Sequence, residues 1–297
     1  INSSPKEIAF TANITASLNQ LVYGLSYELN KGDIVYVSYS EHASNLLPWF
    51  RLQKEKGIII KYIPMDNKGN ILLEQFFNEL NSDVKVISFA YIGNVLGVKQ
   101  PAKHIIEQAH KYNIKVIIDA AQAIGHIAID VKDLDCDYLC FSGHKMLGPD
   151  GVGVIYGKYD LLKDMPPLLL GGGMNARFDA EGNIIYKDAP QRFEAGTPNI
   201  EGVIGLGKAC EYLMDLGLDN IHLYVLDLRK YMYDKMKDLN NIEIYNSDVE
   251  TGILTFNVKD VFAQDAAGYL AANNICVRSG NHCAKILHNL IGTDQSI

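Results

Sequence analysis

Short, continuously apolar runs alternate along this chain with stretches in which apolar residues recur at helical spacing. EIAFT (7–11), IVYVS (34–38), GIIIKYI (57–63), VKVISFA (84–90), KVIID (115–119), DYLCFS (137–142) and GVGVIYG (151–157) read as strands. TASLNQLVYGLSYEL (15–29), residues 44–56, residues 71–80 and PAKHIIEQAHKY (101–112) read as helices, the last with Pro at its start. Strands buried on both faces lack polar alternation, and their alternation with helices predicts an α/β fold with a mostly parallel sheet.

The pattern changes after residue 157. GGGMNARFDAEGN and PQRFEAGTPN are rich in Gly, Pro and polar residues, so residues 158–196 read as loops. A long helical stretch follows from about 200 to 240, and the first domain is expected to hand over to the second inside it. The expected division is a large domain over residues 1–213 and a partial small α+β domain over 214–297. The second part carries strands near 242–245 and 252–257, a helix near 263–273, and then ICVRSGNHCA.

Composition narrows the classes. The chain has 297 residues, 48% hydrophobic and 21% charged, which suits one large domain with a smaller one. A net charge of -8 argues against a nucleic-acid partner. No apolar run reaches membrane-spanning length, and the first residues lack a signal-peptide pattern. Five cysteines without a CxxC pair favour a reducing, cytoplasmic setting. Cys136 and Cys140 are not spaced as a zinc knuckle and read as core residues, and no metal site is expected.

Five places can carry chemistry. In FSGHKMLGPDGVG (141–153), Lys145 sits just past a buried strand among Ser, His and Gly. A Schiff-base lysine needs partial desolvation and small neighbours, and Ser142 and His144 can donate to a phosphate. A surface lysine in a Gly-rich turn fits equally well. Asp119 closes an apolar strand in KVIIDAAQAIGH, a costly place for a carboxylate unless it meets a cation such as a protonated pyridine. Gln122 is near enough to reach the same ring, although Asp119 also suits a helix N-cap.

His42, in SYSEH, and Thr15, in FTANITASLN, also follow strands. An imidazole there can stack on a flat ring, and a helix start favours phosphate. A solvated loop His and a plain Thr N-cap are the simpler alternatives. Cys283, in VRSGNHCA, has Arg278 and His282 to stabilise a thiolate, or is an ordinary loop cysteine. Asp119 and Lys145 are one crossover apart, at the strand ends where open α/β sheets bind ligands.

Together these segments resemble one family. FTANITASLN, SEHASNLLPW, GNVLGV, IDAAQAIGH, FSGHKMLGPDGVGVIYG, PPLLLGGGM, RFEAGTPNIEGVIGLG and VRSGNHCA occur in the order found in SufS-type (group II) cysteine desulfurases. These are class V aminotransferase relatives of the pyridoxal-phosphate fold-type I enzymes. The resemblance implies pyridoxal 5'-phosphate as cofactor and a pyridoxal-phosphate-binding large domain. Lys145 would bond the cofactor and move protons. Asp119 would pair with the pyridine nitrogen and Gln122 with the phenolic oxygen. His42 would stack on the ring, and Thr15, Ser142 and His144 would hold the phosphate.

The resemblance further implies that Thr197 reaches the phosphate of a neighbouring subunit, hence a homodimer. Asn94 and Arg278 would lie near the substrate L-cysteine. Cys283 would take its sulfur as a persulfide, releasing L-alanine and supplying iron–sulfur cluster assembly through a SufU- or SufE-like acceptor. Family members carry residues ahead of FTANIT and continue beyond GTDQSI into a segment with a substrate-gripping arginine. The resemblance therefore implies a chain shortened at both ends. Alternatives are a selenocysteine lyase, another class V aminotransferase, or a non-catalytic scaffold.

Overall fold

The computed structural model describes residues 1–297. In chain order its first strands and helices are β1 (Ile8–Thr11), α1 (Ile14–Leu25), β2 (Ile34–Val37), α2 (Leu47–Lys56), β3 (Ile59–Tyr62), α3 (Leu73–Glu79), β4 (Val84–Ala90) and α4 (Ala102–His110). Next come β5 (Lys115–Asp119), α5 (Val131–Leu134), β6 (Tyr138–Ser142), β7 (Gly153–Gly157) and α6 (Tyr159–Leu162). The remainder is β8 (Asn175–Phe178), β9 (Ile184–Tyr186), α7 (Ile200–Leu216), α8 (Leu218–Met236), β10 (Ile242–Ile244), β11 (Phe256–Val258), α9 (Ala263–Ala272) and α10 (Lys285–Ile291).

Seven strands form one sheet in the order β1-β7-β6-β5-β4-β2-β3. Only β7 runs against the rest, antiparallel to both β1 and β6. The carboxyl ends of β1, β2, β4, β5 and β6 therefore share one edge. An apolar layer covers each face. Ile105, Ile106, Phe76 and Leu134 pack on one side, and Leu18, Leu21, Leu25 and Trp49 on the other. The spacing Ile14, Leu18, Leu21, Val22, Leu25 places one face of α1 on the sheet. Each such side chain contributes about 1.5–3 kcal/mol when fully buried. Cys136 and Cys140 are buried in these layers.

Three expectations need correction. Residues 158–196 are not all loop: β8 and β9 pair as an antiparallel hairpin. Its Phe178 and Ile185 are 71% and 58% exposed, so no burial pattern marked the strands in the sequence. The helical stretch from 200 to 240 is two helices, broken where Gly217 adopts φ 81° and donates its N–H to the Leu213 carbonyl at 3.0 Å. The strand expected from 252 begins at Phe256, where it pairs with β10. A small core of Phe256, Ala263, Ala266 and Ile297 holds this last part together.

Candidate active site

A cleft of about 810 Å³ opens at the carboxyl edge of the sheet. Thr15, His42, Asn94, Asp119, Gln122, Ser142, His144, Lys145, Arg278 and Cys283 all line it. Thr197 does not; it is exposed and borders a separate depression with Phe10, Thr11 and Asn199.

Asp119 and Ser142 end neighbouring parallel strands, which brings their loops side by side. Asp119 is 4% exposed. Its Oδ1 accepts the Ala121 N–H at 2.9 Å, while its other oxygen makes no hydrogen bond. Burial pushes the Asp119 carboxyl up to about 6, against the opposing pull of that hydrogen bond and of Lys145. A buried carboxyl with an oxygen to spare is the natural seat of a cation. Lys145 lies on the single 3-10 turn Gly143–Met146 after β6 and is exposed. The desolvated lysine expected from the sequence is therefore not present in the open cleft. The turn leaves the side chain exposed on the wall of the cleft.

His42 is half-buried, and its Nδ1 accepts the Ser44 N–H at 3.1 Å. That bond fixes the neutral ring with its proton on Nε2. Burial, then the nearby Lys145, holds the imidazole below its usual range. Behind it lies Glu41, which the sequence analysis passed over. Glu41 is fully buried and receives the Ala90 N–H at 2.8 Å, the Asn45 amide at 2.7 Å and the Ser38 hydroxyl. Burial, then Asp119, raises Glu41 to about 8 despite these three donors. The only sequence signal was its place next to His42.

The phosphate candidates cluster at the start of α1. Asn13 caps the helix, accepting from the Ala16 N–H at 3.0 Å. The buried Ser142 oxygen accepts the Ile14 N–H at 2.8 Å, which leaves its own O–H to donate. Thr15 and Ser44 share a 2.7 Å hydroxyl contact, and His144 lies 3.8 Å from Asp150. Hydroxyls and N–H groups at a helix start suit a phosphate.

The cysteine loop closes the other wall. Its backbone is bound to the large sheet's loops at two points: Ala43 N–H to the Cys283 carbonyl and the Asn94 side-chain amide to the His282 carbonyl, both at 2.8 Å. A second exposed thiol, Cys276, also lines the cleft, and no sequence motif had singled it out. No group of side chains suited to hold a metal occurs.

An acid for a pyridine nitrogen, a lysine for an aldehyde and a helix start for a phosphate thus meet in one cleft. The residues present fit pyridoxal 5'-phosphate, and the spare Asp119 oxygen is the observation that decides it.

Comparison with known proteins agrees. The aminotransferase class-V family model matches residues 1–297. A probable cysteine desulfurase of Ureaplasma parvum is 41% identical over 100% of this chain and 74% of its own length. One from Halalkalibacterium halodurans is 39% identical over 96% of this chain and 70% of its own. The crystal structure of the cysteine desulfurase CsdA (S-sulfonic acid) from Escherichia coli superposes with a TM-score of 0.95 at 30% identity, covering 99% of this chain and 73% of that one. This chain belongs to the class V aminotransferase family of pyridoxal-phosphate enzymes, on its cysteine desulfurase branch.

Proposed function

We propose that this chain is a SufS-type cysteine desulfurase in which Lys145 serves the cofactor and Cys283 takes the sulfur. The observation that carries the reading is a lysine, a buried acid and an exposed thiol on the walls of one cleft. Pyridoxal phosphate, when bound, supplies an electron sink that weakens the bonds around the substrate α-carbon. The chain's own residues do the rest. Asp119 would pair its spare oxygen with the pyridine nitrogen, and Gln122 would meet the phenolic oxygen. His42 would stack on the ring with an imidazole kept neutral. Thr15, Ser142 and His144 would hold the phosphate.

Lys145 Nζ removes and returns the proton at the substrate α-carbon. Asn94 and Arg278, both on the wall of the cleft, lie near L-cysteine. Cys283 Sγ, as thiolate, attacks the substrate sulfur. The S–S bond forms as the C–S bond breaks, and the carbon skeleton leaves as L-alanine after protonation.

The same reading assigns residues 1–213 to the cofactor-binding domain and 214–297 to the small domain. It takes the working form to be a cytoplasmic homodimer, with Thr197 reaching the partner's phosphate. The sulfur passes to a SufU- or SufE-like acceptor for iron–sulfur cluster assembly. No helix is long and apolar enough to cross a membrane.

Cysteine turnover, followed as alanine and sulfide, tests the core of this. Lys145→Ala should lower both products by at least about a thousandfold, in line with loss of a positioned acid–base and covalent group. Cys283→Ala should retain cofactor absorbance but lose sulfur transfer. If Cys283→Ala transfers sulfur at the wild-type rate, the sulfur role of Cys283 is wrong.

A further inference from the structure

The cysteine loop is held in an unusual backbone state. His282 and Cys283 are consecutive residues with φ of 50° and 56°, a region that side-chain-bearing residues avoid. Gly280 just before them also has positive φ, 117°, and pairs with Ser296 through two 3.0 Å backbone bonds. Such a conformation persists only where its surroundings over-determine it. On the loop's own side, the Asn281 side chain accepts the Cys283 N–H at 3.1 Å, and His282 Nε2 meets the Ser296 carbonyl at 3.1 Å. On the cofactor side there are two holds. The Ala43 N–H grips the Cys283 carbonyl, and the Asn94 amide grips the His282 carbonyl.

The Asn94 amide is oriented by chemistry. Its neighbour at 2.8 Å is a carbonyl oxygen, which can only accept, so Nδ2 must face the loop. Oδ1 is then left buried without a partner. Of the two holds only this one belongs to a side chain, and Asn94 stands in the turn after β4, the strand beside Asp119.

We propose that Asn94 is a positioning residue for the cysteine loop: its amide N–H latches the His282 carbonyl and so keeps Cys283 against the cleft. The inference rests on the reading of Cys283 as the sulfur acceptor, and it gives Asn94 a task apart from any contact with substrate. One end of the side chain holds the loop while the other stays buried without a partner. Cys283 thereby meets the substrate in a preset position rather than by a search of loop conformations.

The test uses the cofactor-loaded protein without substrate. Asn94→Asp keeps an acceptor at Oδ1 but sets an oxygen against the His282 carbonyl, and Asn94→Ala removes both ends without adding charge. Iodoacetamide labelling of Cys283, read by peptide mass, should speed up by about fivefold or more in both variants, the factor that one hydrogen bond of ordinary strength supplies. Cys276 should label at its wild-type rate. Hydrogen exchange at the Ala43 amide should accelerate as well, and this reads the latch even where labelling is masked.

In turnover, the sulfur-transfer kcat should fall in both variants. Wild-type labelling and exchange in both variants would overturn the latch. Equal acceleration at Cys283, Cys276 and the buried Cys136 would also overturn it, since it would mark general loosening. The supporting reading fails separately, through sulfur transfer that survives Cys283→Ala.

Discussion

Glu41 shows what a single buried side chain can impose. It shares its surroundings with Asp119, and both carboxyls hold protons more tightly in the fold than in the unfolded chain. A raised carboxyl pKa gives a contribution that is full below the unfolded value and lost as pH rises through the folded one. For Asp119 that loss runs from its unfolded value and is complete near 6, and for Glu41 it runs on until near 8. The cofactor-free protein should therefore lose stability from pH 5 towards 8.5. Glu41→Gln, which keeps the shape without the ionisation, should remove the upper part of this loss, on the order of 1–3 kcal/mol. Urea unfolding across that range is the measurement, and parallel pH slopes for the two proteins would refute the assignment.

Sequence legibility at this scale follows the same line. Asp119 was visible because a carboxylate ends an apolar run. The burial of Glu41 depends on the Ala90 N–H and the Asn45 amide closing over it, contacts that only the folded sheet creates. Lys145 stood out in the sequence by its place after a buried strand, but its exposure did not, because the direction of one 3-10 turn leaves no mark in composition.

At the scale of elements, the close approach of β7 to the start of α1 sets the phosphate corner. A Cβ on Gly153 would meet the Asn13 backbone at 2.4 and 2.6 Å. Neither neighbour is the end of a flexible side chain, so Gly153→Ala must push β7 away from α1. The expected cost is about 1–3 kcal/mol of stability, together with weaker cofactor retention. Thermal unfolding and cofactor titration read the two effects, and an unchanged Tm would show that the corner yields more easily than its packing implies. The central strands were legible because both their faces are apolar and covered. The hairpin β8–β9 was not, because its outward apolar residues meet nothing within one chain. Gly217 was likewise hidden inside a helical pattern that continues on both sides of it.

For the whole molecule, the uncovered apolar residues Leu169, Leu170, Phe178, Ile185, Ile200 and Ile204 support the proposed homodimer, all being more than half exposed. Such residues scattered singly need no explanation, but six within one stretch of chain, residues 169–204, suit a surface that a second copy covers. Sedimentation should find the wild type as a dimer at micromolar concentration. The double change Phe178→Asp, Ile185→Asp should weaken association by at least about tenfold, the equivalent of 1.4 kcal/mol. A wild type that sediments as a monomer would remove the shared-site role of Thr197.

The order of the chain adds a temporal consequence. The seven-stranded sheet is complete at Gly157, and Thr15, His42, Asp119, Gln122, Ser142, His144 and Lys145 all precede that point. Cys283 belongs to residues 158–297, which the ribosome has yet to add. The lysine and the acid at the sheet edge are thus synthesised before the exposed thiol, and the cleft between them gains its second wall only from residues 232–297.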